Sequence, residues 1–149
     1  MPQIRTLILA LASTTCLLNS PTLLAHSDEV LDTQKAPNGG QLRMAGPYHF
    51  ELVVISDSKE VRENPIVVHV TDHAGARVPT AGASATATLL AGKVKATSTL
   101  APDGDNRLKG FAKYASTSDM KVVVTVTLAG KGAEQARFTP LAVSQQERR

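Results

Sequence analysis

From Gly39 to Pro140 apolar and polar residues alternate with a period of two, the pattern of extended strands that bury one face. In Tyr48-His49-Phe50-Glu51-Leu52-Val53-Val54-Ile55, one face carries Tyr48, Phe50, Leu52 and Val54, and the other carries His49, Glu51, Val53 and Ile55. A loop over Ser56 to Asn64 follows, and Pro65 opens a second run, Ile66-Val67-Val68-His69-Val70-Thr71. The turn Asp72-His73-Ala74-Gly75 closes it, with glycine supplying the positive φ such turns need. Further strands are predicted over Ser84 to Leu90, Val94 to Leu100, Arg107 to Tyr114, Met120 to Leu128 and Ala133 to Thr139. Gly92, Pro102-Asp103-Gly104-Asp105-Asn106, Ser116 to Asp119 and Gly130-Lys131-Gly132 separate them as turns. Alanine-rich 81–91 is ambiguous by propensity alone, but Thr86, Thr88 and the flanking glycines disfavour a long helix.

About seven short strands at steps of roughly a dozen residues predict an all-β fold, an antiparallel β-sandwich of immunoglobulin-like type. Register follows from the same pattern. If the runs at 48–55 and 66–71 form a hairpin, their apolar sets must share a face, so opposed residue numbers add to an even value. A loop centred near residue 60 makes that value about 120, which sets Glu51 opposite His69 with His49 one diagonal step away on the outer face.

Ahead of this region lies a different pattern. Arg5, the apolar block Leu7 to Ala12, Cys16-Leu17-Leu18 and Leu23-Leu24-Ala25 have the basic, apolar and small-residue parts of a secretory signal peptide, too short in its apolar block to span a bilayer. The predicted organisation is a signal peptide over 1–25, a flexible polar leader over 26–38, the β-domain over 39–140 and a polar tail over 141–149. The expected location is the periplasm, with no membrane insertion of the mature chain. Cleavage after Ala25 would remove Cys16, the one cysteine, so neither a disulfide nor a thiolate site is expected. Ser13-Thr14-Thr15 lack the aliphatic residue that lipoprotein signals place three positions before their cysteine, so no lipid anchor is expected either.

The net charge of +3 falls by one when Arg5 is removed, and the remaining Lys and Arg are spread along the chain. With aromatics at 3% and no Trp, the clustered basic and aromatic surface of a nucleic-acid binder is missing. No Gly-x-Ser-x-Gly elbow, His-Glu-x-x-His, phosphate loop or nucleophilic cysteine is present, and no enzyme activity is expected.

Candidate chemistry therefore rests on four histidines. In the predicted register His49, Glu51 and His69 lie within reach of one ion, a ligand set suited to zinc, copper or nickel. The same three residues also read as the solvated polar face of a sheet, with a Glu–His cross-strand pair that needs no metal. His69 and His73 would be roughly 13 Å apart on an extended strand at ~3.3 Å per residue, so Asp72-His73 reads as a plain turn pair. His26 would be the first residue after cleavage, where its α-amine and imidazole could chelate copper(II). Met44 and Met120 would suit copper(I).

Several segments carry a resemblance: Ala36-Pro37-Asn38-Gly39-Gly40, Tyr48-His49-Phe50-Glu51-Leu52-Val53, Val70-Thr71-Asp72-His73-Ala74-Gly75, Gly82-Ala83 with Thr88-Leu89-Leu90, and Val124-Thr125-Val126-Thr127-Leu128-Ala129-Gly130. In this order they resemble a family of small secreted bacterial β-sandwich proteins associated with heavy-metal and copper resistance. The Gly-Gly opening also resembles the N-terminal segment of periplasmic adaptor subunits of heavy-metal efflux pumps. Family members commonly carry His-Gly-Gly where this chain has Asn38-Gly39-Gly40, and an amide oxygen is a poor ligand for copper or zinc. The resemblance implies a periplasmic metal-binding accessory protein acting beside an efflux system, with copper, zinc or nickel as cargo. The alternative is a metal-free interaction module that docks on an envelope partner.

Overall fold

The computed structural model describes residues 27–142. The predicted signal peptide, Cys16, His26 and the tail beyond Ala142 lie outside the described residues. One short helix, α1 (Asp28–Asp32), precedes eight strands: β1 (Gln41–Ala45), β2 (Tyr48–Val54), β3 (Arg62–Asp72), β4 (Ser84–Ala91), β5 (Val94–Pro102), β6 (Arg107–Tyr114), β7 (Lys121–Thr127) and β8 (Ala133–Phe138). All pairings are antiparallel, and the strands form one nearly closed sheet in the order β1-β2-β3-β6-β5-β4-β7-β8.

The sheet has two unequal joints. Between β5 and β6 the ladder holds two residue pairs, Ala101↔Lys109 and Pro102↔Leu108, so β5 pairs with β4 along most of its length and reaches β6 at its end. Gly110 permits that approach, because a Cβ there would collide with the Thr99 carbonyl and the Ser98 side chain. At the other joint β1 and β8 lie side by side with no ladder between them. The Thr139 backbone N–H donates to Gln41 Oε1 at 2.8 Å across this seam.

The core fills the space enclosed by the sheet. Phe50 and Leu52 of β2 and Ile66, Val68 and Val70 of β3 meet Ala85, Ala87 and Leu89 of β4, Val122, Val124 and Val126 of β7 and Phe138 of β8. Alternation overrides alanine's helical preference in β4, where Ala85, Ala87, Leu89 and Ala91 are buried and Thr86 and Leu90 are exposed. Burying each large side chain removes apolar surface worth about 1.5–3 kcal/mol. Tyr114 closes one end of the core: its hydroxyl donates to Pro65 O at 2.7 Å and accepts from Ile55 N at 3.1 Å. Burial pushes this phenol above its ordinary pKa.

Three expectations need correction. Eight strands are present, because Gln41-Leu42-Arg43-Met44-Ala45 pairs with β2 through a two-residue turn at Gly46-Pro47; Arg43 in the middle of this run hides its alternation. Strand β3 starts at Arg62 rather than after Pro65, since Arg62, Glu63 and Asn64 pair with Tyr114, Lys113 and Ala112 of β6. Pro65 is tolerated because pairing with β2 begins only at Ile66, so its missing N–H breaks no ladder there. The segment 27–38 is docked, not a free polar leader. Leu31 and Ala36 are buried, and Arg43, whose side chain is 8% exposed, pairs with Asp32 at 2.7 Å and with Asp28 at 3.6 Å. At the start of the predicted tail, Leu141 packs against the core.

Candidate functional site

The predicted hairpin register is the observed one: Glu51 pairs with His69, His49 with Thr71 and Tyr48 with Asp72. His49, Glu51, His69 and Thr71 thus share the outer face of β2 and β3 and form the floor of a cavity of about 570 Å³. Residues 34–38 wall it on one side, and the turns at 73–77 and 103–107 wall it on the other. This volume falls within the range of small-molecule sites.

The docked leader reaches this face through the glycine pair. Gly39 takes a positive φ of 75°, which turns the chain, and Gly40 then passes so close to β2 that a Cβ would collide with the Leu52 carbonyl. Glu51 fixes the crossing. Its Oε1 accepts from Asn38 N at 2.8 Å and Gly40 N at 3.0 Å, and its Oε2 accepts from Asn38 Nδ2 at 2.8 Å. Buried at 3% exposure, this carboxylate is an anchor for the leader and is engaged on both oxygens. Asn38, where the resembling family carries histidine, serves as the partner of that anchor.

The turn after β3 brings in a residue that the strand-spacing argument sets aside. Asp72 Oδ1 accepts from Ala74 N at 2.9 Å and Ala76 N at 2.8 Å, and Gly75 has a φ of 82°. The chain therefore folds back at once, and the His73 ring stacks on His49 with centroids 4.9 Å apart and planes inclined by 25°. His73 Nε2 is buried without a hydrogen-bond partner among the described residues. The signal for this contact lay in the register itself: Thr71 faces His49, so residues 69 and 73 are its two diagonal neighbours.

His69 stands at the other diagonal. Burial lowers its pKa below the ordinary imidazole value; nearby Glu51 opposes this, and Arg107 and Arg77 add to it. Arg107 is tied to Asp103, with Nη2 to Oδ2 at 2.9 Å and Nε donating to the Asp103 carbonyl at 2.7 Å. Arg77 makes no ion pair among the described residues.

The other ligand candidates separate. Met120 is buried in the core, away from this face, whereas Met44 lies directly across from His49 in the β1–β2 register. His26 lies outside the described residues. Among those residues no group of three or more His, Cys, Asp or Glu side chains is arranged to hold a metal ion. His49, Glu51 and His69 are therefore neighbours, as the register requires, without forming a ready ligand set.

No family model, curated protein or solved structure matches the chain. Among the described residues no helix is long and apolar enough to cross a membrane.

Proposed function

We propose that the chain is a non-enzymatic periplasmic accessory protein that binds a late first-row transition metal, copper(II) above all, beside an efflux system. The observation that carries this reading is the convergence of His49, His69 and His73, three of the four histidines in the sequence, on one cavity. Imidazole nitrogen is a good donor for copper, nickel and zinc, and the general affinity order of such sites peaks at copper. His49 and His73 are the primary ligands in this reading, with His69 beside them. Glu51 is not one, since its oxygens hold the leader. His73 sits in a turn beyond the β2–β3 ladder, so its ring would leave the stack on His49, without breaking a strand pair, to direct a nitrogen at a shared ion.

The resemblance to secreted heavy-metal resistance proteins and the signal-like N-terminus support a periplasmic location. An immunoglobulin-like sandwich is the finer fold proposed with it: β1-β2-β3-β6 would form one sheet and β5-β4-β7-β8 the other, and the two-pair joint between β5 and β6 supports that division. A second reading, a metal-free module that docks on an envelope protein, draws support from the exposed Phe111 on β6 and Val61 beside β3.

Calorimetric titration of the processed protein with copper(II), nickel(II) and zinc(II) separates the two. The metal reading expects one copper ion per chain, with affinity reduced at least tenfold in the double variant His49→Ala/His73→Ala. Binding no tighter than millimolar by the unmodified protein overturns it and leaves the docking module.

A further inference from the structure

The docked leader meets Glu51 through Asn38, and Asn38 is the one asparagine of the sequence that glycine follows. Asn64 precedes proline, which has no N–H to react, and Asn106 precedes Arg107. An Asn-Gly pair is chemically labile because glycine has no Cβ to shield its backbone nitrogen. On giving up its proton, the Gly39 nitrogen can attack Asn38 Cγ. The N–Cγ bond forms, the Cγ–Nδ2 bond breaks, and ammonia leaves with the proton. One water molecule then opens the five-membered imide at either carbonyl. The product is aspartate or isoaspartate, and the latter carries one more carbon in its main chain.

The docked structure occupies each group this reaction needs. Gly39 N donates to Ala36 O at 3.2 Å, and Asn38 Nδ2 donates to Glu51 Oε2 at 2.8 Å. Asn38 N and Gly40 N, on either side of the reacting bond, share Glu51 Oε1 at 2.8 and 3.0 Å. Nitrogen and Cγ can therefore meet only when this segment lifts from Glu51 in a local opening.

The product does not fit back into the same place. Aspartate at position 38 sets a carboxylate where an amide donated to Glu51, itself 3% exposed, and two carboxylates at hydrogen-bond distance cannot both stay ionised. Isoaspartate adds a second obstacle, since its extra carbon lies between the two N–H groups that Oε1 gathers.

We propose that Asn38 is a deamidation site gated by the docking of the leader, and that its conversion is a one-way latch that holds the leader off the histidine face. Docking on Glu51 slows the reaction, and the reaction, once complete, prevents docking. Residues 34–38 wall the cavity beside His49 and His69, so the converted chain presents that face more openly. The latch acts whether or not an ion binds.

Incubation of the processed protein at mildly alkaline pH, folded and in guanidinium chloride, tests the gate. Trypsin releases residues 36–43 as one peptide, in which mass spectrometry reads the exchange of amide for acid. Conversion is expected to be at least tenfold slower in the folded protein, and Glu51→Gln should raise the folded rate at least fivefold while leaving the denatured rate unchanged. Equal rates in folded and denatured protein overturn the gate. Asn38→Asp tests the latch without any incubation: proteolysis between residues 33 and 40 should be at least tenfold faster than in the unmodified protein, with the cooperative thermal transition of the β-domain retained. Cleavage no faster than in the unmodified protein overturns the latch.

Discussion

The two faces of β2 are buried almost equally and by opposite means. On the inner face Phe50 and Leu52 are 0% exposed, covered by apolar side chains of β4, β7 and β8. On the outer face His49 and Glu51 are 8% and 3% exposed, covered by the leader and by two turns. The inner face needs only volume and apolarity, because dispersion and the hydrophobic effect have no direction. The outer face needs a specific partner for each polar atom, because an unsatisfied buried group costs about 1–3 kcal/mol. A face of the second kind is a poor source of stability and a good place for a site. It holds a cavity open and keeps polar side chains in fixed positions.

Breaking the inner face should have the largest effect. Phe50→Ala leaves a cavity among close-packed side chains and should lower unfolding stability by about 3–5 kcal/mol in urea denaturation. A loss under 1 kcal/mol would mean that β2 does not sit against the core as described. On the outer face, Glu51→Gln keeps the size of the side chain but turns one acceptor into a donor that meets the Asn38 amide. A loss of about 2 kcal/mol is expected, together with faster proteolysis between residues 33 and 40, because the crossing of the leader is what the carboxylate holds. Unchanged proteolysis would separate Glu51 from the docking of the leader.

The smallest effect sharpens the comparison through pH. His69 titrates below its ordinary value in the folded state, so the folded protein binds this proton less well than the unfolded chain. Its contribution to stability is present above about pH 6.5, the unfolded value, and is lost as pH falls from there through the folded value. The melting temperature should therefore decline between pH 7 and 5, and His69→Gln should flatten that decline while changing the melting temperature at pH 8 little. An unaltered slope in the variant would assign the pH dependence to other groups.

Much of the outer face could be read along the chain. Alternation assigned Phe50 and Leu52 inward and His49 and Glu51 outward, and the even-sum rule with a loop near residue 60 paired Glu51 with His69. Three features escaped for identifiable reasons. The β2–β3 ladder ends at Asp72, and His73 comes beside His49 only through the turn beyond it. Strand β1 has Arg43 at a buried position, a charge made tolerable by Asp32 and Asp28 in a helix eleven or more residues earlier. Asn38 stands where the resembling family carries histidine, and its partner, Glu51, lies thirteen residues further along.

Seven of the eight strands, their faces and the pairing of β2 with β3 are legible along the chain, because a two-residue side-chain period and the residues that make turns are local properties. That β3 pairs with β6 and β4 with β7, that β5 bridges the two ladders where Gly110 makes room, and that residues 34–38 wall the histidine face are settled by the fold as a whole. Those contacts join segments far apart in the chain. Whether a polar face meets water or a covering segment depends on how the whole chain closes, which no alternation of residue types records.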